Sequence, residues 1–517
     1  MGESEASQGP RNVIVILLDS LNRHMLGAYG GSEFETPNID RFASRSMRFD
    51  RHYAGSLPCM PARHDILTGA LDFLWRPWGS IELWEEAIPY HLRKLGVTTA
   101  LVTDHPHLFE AGGENYHTDF DAWEYVRGGE SDPWKLVPDP SSIGAPAIPE
   151  ARRAPVYRQY DVSRSWFRSE SDFPGPRTMT AAADWLRQNA GCHERFLLFI
   201  DEFDPHEPFD TPEPWASRYD ADWEGPRLVW PPYGVGLLAD GKLEEREARQ
   251  LRAGYGAGLG MIDHWLGRLL DTIEELGLYE DTMIVLCTDH GHYLGDTTAG
   301  GLDIWGKPGI PFYEPLGHTP LMISWPGLSP GSTDALTTNV DLHATLADVF
   351  GAEPAHRTHG VSLVPLLTGR ATSIRDFALA GIWGRHVHVI GGDDKYARGP
   401  AGENVPLSVW SNRWSTMPLS HAPHYRMPRP DSRARLDYMP GSRVPVIRQP
   451  FEAGDRIPYW AMECKPDDHH LFDLRQDPDE RRNLAGAPVE KRAVDRLRAA
   501  LDEVEAPAEQ YQRLGIA

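Results

Sequence analysis

Cysteine is scarce in this chain of 517 residues, which contains only four. Cys59, Cys192, Cys287 and Cys464 lie far apart, and no two of them have the spacing typical of a metal-binding or redox pair. So few thiols exclude a disulfide scaffold and are typical of a protein in a reducing compartment.

Long apolar runs are missing as well. The longest, residues 13–18, has the length of a strand, whereas a helix that spans a bilayer needs about 20 residues. The first ten residues contain neither a basic nor an apolar segment, so they predict no signal peptide. We therefore expect a cytoplasmic protein that does not enter the membrane.

Positive charge is in deficit, because 51 lysines and arginines face 75 aspartates and glutamates, for a net charge of −24. This balance argues against nucleic acid and anionic membranes as partners. It still permits an anionic small-molecule substrate, since a pocket on an acidic protein can be locally positive.

Apolar, β-branched runs alternate with helical segments over most of the chain. Four runs predict buried strands: residues 13–18, 97–102, 195–200 and 282–287. The helices between them include residues 178–188 and a long stretch, 244–276, that glycines are expected to break or soften. This alternation predicts an α/β fold, with a large mixed, mostly parallel sheet flanked by helices.

The apolar runs shorten after about residue 370. Residues 386–390 and 470–474 predict strands of a smaller sheet, and residues 489–504 predict an amphipathic closing helix. Because the chain is longer than one typical core, we predict two parts. They are a catalytic α/β domain, residues 1–370, and a smaller C-terminal α+β subdomain, residues 371–517.

Three segments without periodicity predict irregular loops: residues 125–178, 210–242 and 395–455. Their tryptophans and arginines could line a site for a sugar or an aryl group. A contact in a homo-oligomer is an equally good interpretation of such loops.

Polar residues follow the predicted strands where each one ends. They are Asp19, the segment from Thr103 to His107, His206 and the pair Asp289-His290. Since the carboxyl ends of parallel strands meet at one sheet edge, these side chains predict one site. Two carboxylates and a histidine suit a divalent cation, and His206, His292 and Lys307 are candidate proton donors.

The segment Cys59-Met-Pro-Ala-Arg63 precedes residues that predict a helix beginning at His64. A cysteine in the positive field of a helix start and an arginine would have a lowered thiol pKa, and that field attracts anions. Arg63 also matches a tetrahedral oxyanion. Alone, however, Cys59 is equally well a small apolar residue near a turn.

Taken in chain order, these motifs resemble those of the type I sulfatases, a family of the alkaline phosphatase superfamily. The matches include Val15-Ile-Leu-Leu-Asp19, Thr36-Pro-Asn-Ile-Asp40, Cys59-Met-Pro-Ala-Arg63, Asp204-Pro-His206-Glu-Pro208, Thr288-Asp-His-Gly-His-Tyr-Leu-Gly-Asp296, Trp305-Gly-Lys307 and Leu471-Phe-Asp-Leu-Arg-Gln-Asp-Pro478. The resemblance covers nearly the whole chain and implies an alkaline phosphatase-like fold.

The resemblance also implies the chemistry. Cys59 would be oxidised to Cα-formylglycine by a formylglycine-generating enzyme, and its hydrate would attack sulfur or phosphorus. Asp19, Asp289 and His290, with the modified Cys59, would hold one divalent metal.

Other side chains acquire roles by the same resemblance. His206 and Lys307 would contact the ester and protonate the leaving oxygen, and Arg63 would support the formylglycine. His105 or His107 would serve as base, His107 otherwise as a substrate contact. His318 stands where an arginine is common and would be a further pocket residue.

Two departures from the family pattern matter. First, Ser20 stands where many members have a second aspartate, and together with the histidine ligand His290 this is similar to phosphonate monoester hydrolases and phosphodiesterases. Second, the segment from Thr103 to His107 replaces the family's usual Lys-x-His. The metal is expected to be Ca²⁺, with Mn²⁺ as the alternative that a histidine ligand favours. We expect a sulfuric ester hydrolase. The alternatives are a phosphonate monoester or phosphodiester hydrolase and an unmodified, catalytically silent binding protein.

Overall fold

The computed structural model describes residues 9–141, 155–415, 429–457 and 464–517. Its strands are β1 (Asn12–Leu18), β2 (Met47–Tyr53), β3 (Thr98–Thr103), β4 (Ala122–Tyr125), β5 (Phe196–Glu202), β6 (Gly234–Val235), β7 (Thr282–Cys287), β8 (Tyr293–Thr297), β9 (Asp303–Gly306), β10 (His318–Ser324), β11 (Gly331–Thr338), β12 (Ala378–Gly381), β13 (Val387–Gly391), β14 (Asp394–Arg398), β15 (Leu407–Ser411), β16 (Arg435–Asp437), β17 (Val446–Phe451) and β18 (His470–Asp473). The helices are α1 (Pro37–Ala43), α2 (Cys59–Thr68), α3 (Ile88–Lys94), α4 (Pro155–Arg164), α5 (Pro174–Asn189), α6 (Glu245–Glu275), α7 (Glu314–Gly317), α8 (Val340–Phe350), α9 (Val364–Leu367), α10 (Glu490–Glu503) and α11 (Ala508–Arg513).

Eight strands form the central sheet, in the order β11-β2-β10-β7-β1-β5-β3-β4. β10 runs antiparallel to both of its neighbours, and the other adjacent pairs are parallel. The predicted fold class, a large mixed and mostly parallel sheet with helices, is therefore confirmed.

Both faces of the sheet are covered, which explains why β1 is apolar from Val13 to Leu18. Ile14, Ile16 and Leu18 pack into a core with α5 and α6, and the alternate residues of the strand face a second core with α2, α3 and α8. Because successive side chains of a strand point to opposite faces, a strand between two cores needs an unbroken apolar run.

Helix α6 runs unbroken for 31 residues, so the expectation that glycines interrupt it is wrong. The glycines instead allow close packing. A Cβ at Gly256 would lie 2.2 Å from Cε1 of Phe34, and one at Gly267 would lie 2.5 Å from Oδ1 of Asn38. Tertiary contacts thus outweigh the low helix propensity of glycine.

All three predicted loops contain regular structure, although in 210–242 it is only the two-residue strand β6. Within 125–178 the structure has β4, whose end is Tyr125, α4, and the first turn of α5, which begins at Pro174 rather than Thr178. Within 395–455 it has most of β14 and the sheet β15-β17-β16. Strands of three to six residues are too short to show a period. Residues 142–154 and 416–428 of these predictions lie outside the described residues.

After residue 370 the chain forms antiparallel sheets, including the four-stranded sheet β12-β13-β14-β18. The strands predicted near 386–390 and 470–474 are β13 and β18, and the closing helix is α10. The boundary at 370 stays a prediction. In the part of the chain that the structure describes, every helix is too short or too polar to cross a bilayer.

Candidate active site

Four side chains meet at the carboxyl edge of the central sheet. Asp19 directly follows β1, Asp289 and His290 follow the adjacent β7, and Cys59 is the first residue of α2. One ligand atom from each lies within 4.8 Å of the others, and all four residues are buried. The structure thus brings together the four residues predicted to hold a metal.

Arg63, one turn into α2, binds the carboxylates of this cluster. Its Nη2 lies 2.9 Å from Oδ2 of Asp19, and its Nη1 lies 2.8 Å from Oδ2 of Asp289. It also donates from Nε and Nη2 to the two oxygens of Asp201, at 2.8 and 2.6 Å. Although burial opposes it, Arg63 holds the pKa of Asp19 well below its usual value.

Asp201 was missed by the sequence analysis. Its signal was available, because it lies near the carboxyl end of β5, the neighbour of β1, opposite Leu17 and so at the same sheet edge as Asp19. Three carboxyl groups thus surround one guanidinium, and when all three are ionised their charge exceeds that of Arg63 by two. A divalent cation balances that excess, so the donor set fits the metal that the family resemblance implies.

The ring of His290 is oriented for a metal. Its Nδ1 donates to the carbonyl of Gly291 at 2.8 Å, so the lone pair of Nε2 faces the cluster, 3.2 Å from Sγ of Cys59. Burial lowers the pKa of His290, which favours the neutral imidazole that binds metals.

Ser20 ties the two strand ends together. It has a positive φ of 60°, its backbone N–H donates to Oδ1 of Asp289 at 3.1 Å, and its hydroxyl donates to Oδ1 of Asp19 at 2.8 Å. The residue that replaces the second family aspartate therefore orients both carboxylates through hydrogen bonds.

Helix α2 begins at Cys59, not at His64 as the sequence analysis expected. The turn before it is held by Asp65, whose carboxylate accepts hydrogen bonds from the backbone N–H and the hydroxyl of Ser56, at 2.5 and 2.7 Å. Burial, aided by Asp19, raises the pKa of the Cys59 thiol well above its usual value. The expectation of an acidic, activated thiol is therefore wrong.

His64 anchors α2 from its other side. Its Nε2 lies 2.9 Å from Oε2 of Glu85, and its Nδ1 lies 4.0 Å from Oδ2 of Asp72. Although burial opposes it, these two carboxylates raise the pKa of His64 to about 9. The helix that carries Cys59 is thus fixed by a buried ion pair.

Lys307 and His206 form a pair beside the cluster. Nζ of Lys307 lies 2.6 Å from Nε2 of His206 and 3.4 Å from Oγ of Ser20. Nδ1 of His206 donates to the carbonyl of Glu207 at 2.7 Å, so its Nε2 accepts the proton of the lysine. Two of the three candidate proton donors therefore lie together, and the hydroxyl of Ser20 connects Lys307 to Asp19 of the metal cluster.

The Glu207 side chain, which the sequence analysis did not select, links the candidate proton donors. Its Oε2 lies 3.8 Å from Nζ of Lys307 and 3.1 Å from Nε2 of His292, and its Oε1 accepts a hydrogen bond from Tyr233. Although burial opposes it, His206 and Lys307 hold the pKa of Glu207 well below its usual value. The motif offered no signal for it, because Pro-His-Glu-Pro reads as a turn.

His105 and His107 differ in their surroundings. Nε2 of His105 lies 3.4 Å from Oδ2 of Asp19, and among the described residues neither ring nitrogen has a hydrogen-bond partner. Burial and the charge of Arg63 lower the pKa of His105 well below its usual value, so it is neutral.

His107 is held between two carboxylates instead. It contacts Glu110 through Nδ1, and its Nε2 lies 3.2 Å from Oε2 of Glu130. Although burial opposes it, the two glutamates raise the pKa of His107 to about 10. His107 is therefore cationic at neutral pH, with its charge already paired.

His318 lies apart from the cluster. Its Nδ1 lies 2.7 Å from Oε2 of Glu314, its Nε2 donates to the carbonyl of Asp50 at 2.8 Å, and its ring stacks on Tyr53. It lines a separate cavity whose described walls include no member of the cluster. Its role as a substrate contact stays a prediction.

Comparison with known proteins agrees with this geometry. The sulfatase family model matches residues 11–352. The chain is 28% identical over 391 residues to a choline-sulfatase of Rhizobium meliloti (strain 1021), a match that covers 70% of this chain and 72% of the relative.

Two solved structures share the fold. One is a protein in complex with its substrate D-glucosamine-2-N,6-O-disulfate, with a TM-score of 0.65, 16% identity, and coverage of 96% of this chain and 99% of the other. The second is a phosphonate monoester hydrolase from Silicibacter pomeroyi, with a TM-score of 0.63, 20% identity, and coverage of 95% and 94%.

Proposed function

The chain belongs to the sulfatase family, and we propose on this basis that it is a sulfuric ester hydrolase that cleaves a small-molecule sulfate ester. The observation that carries the proposal is the buried cluster of Asp19, Cys59, Asp289 and His290 with the Lys307–His206 pair beside it. A metal site, a nucleophile position and a proton donor side by side are the components that ester hydrolysis requires.

The proposed cofactors follow from the donor set. Asp19, Asp289 and His290 would hold one divalent cation, which supplies positive charge to the transferred group and lowers the pKa of a bound hydroxyl. We propose Ca²⁺, with Mn²⁺ as the alternative because one donor is an imidazole. Formylglycine made from Cys59 by a formylglycine-generating enzyme would supply the nucleophilic oxygen. The high pKa of the buried thiol argues against the thiolate in that role.

Lys307 is proposed to carry the proton that the leaving oxygen receives. Although burial opposes it, the charge of Glu207 raises the pKa of the Lys307 ammonium, so Nζ is protonated at neutral pH. His206 accepts from Nζ and thereby fixes its direction, and both side chains offer contacts to an anionic ester. Glu207, whose Oε2 lies 3.8 Å from Nζ of Lys307, helps to fix the position of this pair beside the metal cluster.

Arg63 and His105 complete the set. Arg63 binds all three carboxylates and holds them in place, which a cation site needs. His105 is the proposed base of the two candidate histidines, because a neutral imidazole can take up a proton and the cationic His107 cannot. His107 is proposed as a substrate-side contact.

The test has two parts. The mass of the peptide that contains Cys59 reports conversion, because formylglycine is lighter than cysteine. Turnover of 4-nitrophenyl sulfate with Ca²⁺ and then Mn²⁺ reports activity, and Cys59→Ala should abolish it. If an active preparation contains only cysteine at this position, or if Cys59→Ala keeps full turnover, the proposal is wrong.

A phosphonate monoester or phosphodiester hydrolase is the second candidate. The observation that favours it is the donor set itself, in which Ser20 replaces a carboxylate and His290 supplies nitrogen. Rates on bis(4-nitrophenyl) phosphate and on a phenylphosphonate monoester, measured beside the sulfate, separate the two. A higher kcat/KM on either phosphorus ester would favour the second candidate over the first.

A further inference from the structure

A cavity of about 800 Å³ opens beside the cluster, at the same edge of the central sheet. Tyr53, at the end of β2, and His318, at the start of the antiparallel β10, both line it. Helix α7 lies between this cavity and the cluster, because the carbonyl of Leu316 accepts a hydrogen bond from the N–H of Gly291, the residue after His290, at 2.8 Å. The cavity is therefore a separate compartment near the candidate active site.

Two acidic side chains that line the cavity, Glu314 and Glu480, are neutralised by a buried lysine that does not line it. Glu314 accepts from Nζ of the buried Lys395 at 2.8 Å and from His318. Glu480 lies 2.7 Å from the same Nζ. At the rim, Asp393 lies 3.5 Å from Arg475. Glu314 and Glu480 are thus paired with Lys395, which does not line the cavity, whereas Asp393 is paired with Arg475, which does.

Two of the arginines that line the cavity, Arg51 and Arg481, donate hydrogen bonds to neutral groups. Arg51 donates to the carbonyl of Gly392, and Arg481 donates to the hydroxyl of Thr297. In the ranges that the structure describes, neither guanidinium has a carboxylate within ion-pair distance. The positive charge of both groups is therefore available to a ligand.

Arg23 adds a third guanidinium to the wall. It donates to the carbonyl of Asp50 at 3.3 Å, and its nearest carboxylate, also of Asp50, lies 3.9 Å away. That carboxylate is already bound by Arg48 at 2.7 Å. The cavity thus combines a volume typical of a ligand pocket with three weakly compensated guanidinium groups.

We propose that this cavity binds a small organic anion that carries a sulfate or phosphate group, with Arg23, Arg51 and Arg481 as its donors. Planar guanidinium groups match the oxygen spacing of both anions and form charge-assisted hydrogen bonds to them. Hydrolysis at the metal cluster is not required for such binding, so the proposal is independent of the proposed function.

Calorimetric titration with glucose 6-sulfate, glucose 6-phosphate and glucose tests this proposal. The Lys307→Ala variant is used so that the candidate active site contributes little, and the wild-type protein is titrated in parallel. We expect at least one of the two anionic sugars to bind and glucose not to bind. The tighter of the two anions identifies the preferred group.

Arg481→Ala and its neighbour Arg482→Ala form a matched pair, because both remove one exposed positive charge and only Arg481 lines the cavity. Arg481→Ala should weaken binding about tenfold, the loss of one charge-assisted hydrogen bond, while Arg482→Ala should not. Arg51→Ala should repeat the loss. Equal effects of the two neighbours, equal binding of glucose, or no binding of either anion would each overturn the proposal.

Discussion

Replacing Arg63 by glutamine should destabilise the protein in a way that a divalent cation repairs. The side chain is 1% exposed and binds Asp19, Asp201 and Asp289, which are as deeply buried. Glutamine keeps much of the volume and removes the charge. The three carboxylates then lack their cation, unless a metal supplies positive charge at the same place.

The size of the effect follows from the burial. Removing one partner of a buried ion pair costs about 3–5 kcal/mol, because the remaining charge is left without compensation. With an unfolding entropy of about 2.1 cal/mol/K per residue, a chain of 517 residues loses roughly 4 °C in Tm for a loss of 4 kcal/mol. The loss should appear in full in the presence of a chelator.

Arg76 provides a matched control outside the site. It is also a buried arginine, with Asp72 at 2.6 Å, Glu82 at 2.7 Å and Glu85 at 3.7 Å. Arg76→Gln should therefore cost about as much stability as Arg63→Gln. No member of the metal cluster is among its carboxylates, so added metal should not repair it.

The assay is thermal unfolding of the wild type and both variants, with chelator and then with Ca²⁺ or Mn²⁺. Arg63→Gln should gain more in Tm on metal addition than the wild type does, and Arg76→Gln should gain the same as the wild type. If Arg63→Gln gains no more than Arg76→Gln, Arg63 and the cation do not compensate the same carboxylates, and the reasoning is refuted.

Three further results are expected. Lys307→Met should lower kcat on a sulfate ester by about 10²–10⁴-fold, the usual share of general acid catalysis, whereas Glu207→Gln should lower it less. A smaller loss for Lys307→Met than for Glu207→Gln would contradict the assigned proton donor. His105→Ala should reduce kcat, whereas His107→Ala should chiefly raise KM, and steady-state kinetics measures both. A raised KM for His105→Ala with a reduced kcat for His107→Ala would exchange the two roles. His64→Gln should lose stability most below pH 6.5, and the loss should vanish as the pH rises through about 9, because the pKa of His64 is raised in the folded state. Urea unfolding at pH 6 and at pH 9.5 checks this, and equal losses at both would contradict it.

The central sheet could be predicted because its signal is local. β1, β5 and β7 each contain an unbroken apolar run, and a strand buried on both faces leaves no other pattern in a sequence. The start of α2 could not be predicted, because prolines such as Pro58 and Pro61 are also typical of turns and no side chain caps the helix. The short strand β16 depends on its partner β17, which no single segment reveals.

In the candidate site, too, residues with a local signal could be predicted and residues defined by distant partners could not. Residues that act through a recognisable type at a strand end, such as Asp19 and His290, were selected. Asp201 also lies near a strand end and could have been selected on that signal, whereas Glu207 could not, because what distinguishes it is the charge it faces, a lysine and two histidines. Such roles depend on distances between segments more than 100 residues apart, as between Lys307 and His206.

Charge balance also explains why a site made of so many ionised groups can be buried at all. An isolated ion in a protein interior is strongly disfavoured, so every carboxylate there needs a cation nearby. Glu207 has Lys307, whereas Asp19, Asp201 and Asp289 share the single charge of Arg63. This excess of negative charge lies where Nε2 of His290 also points. The two negative charges would destabilise the fold without a metal, and the same two charges make the site selective for a divalent cation.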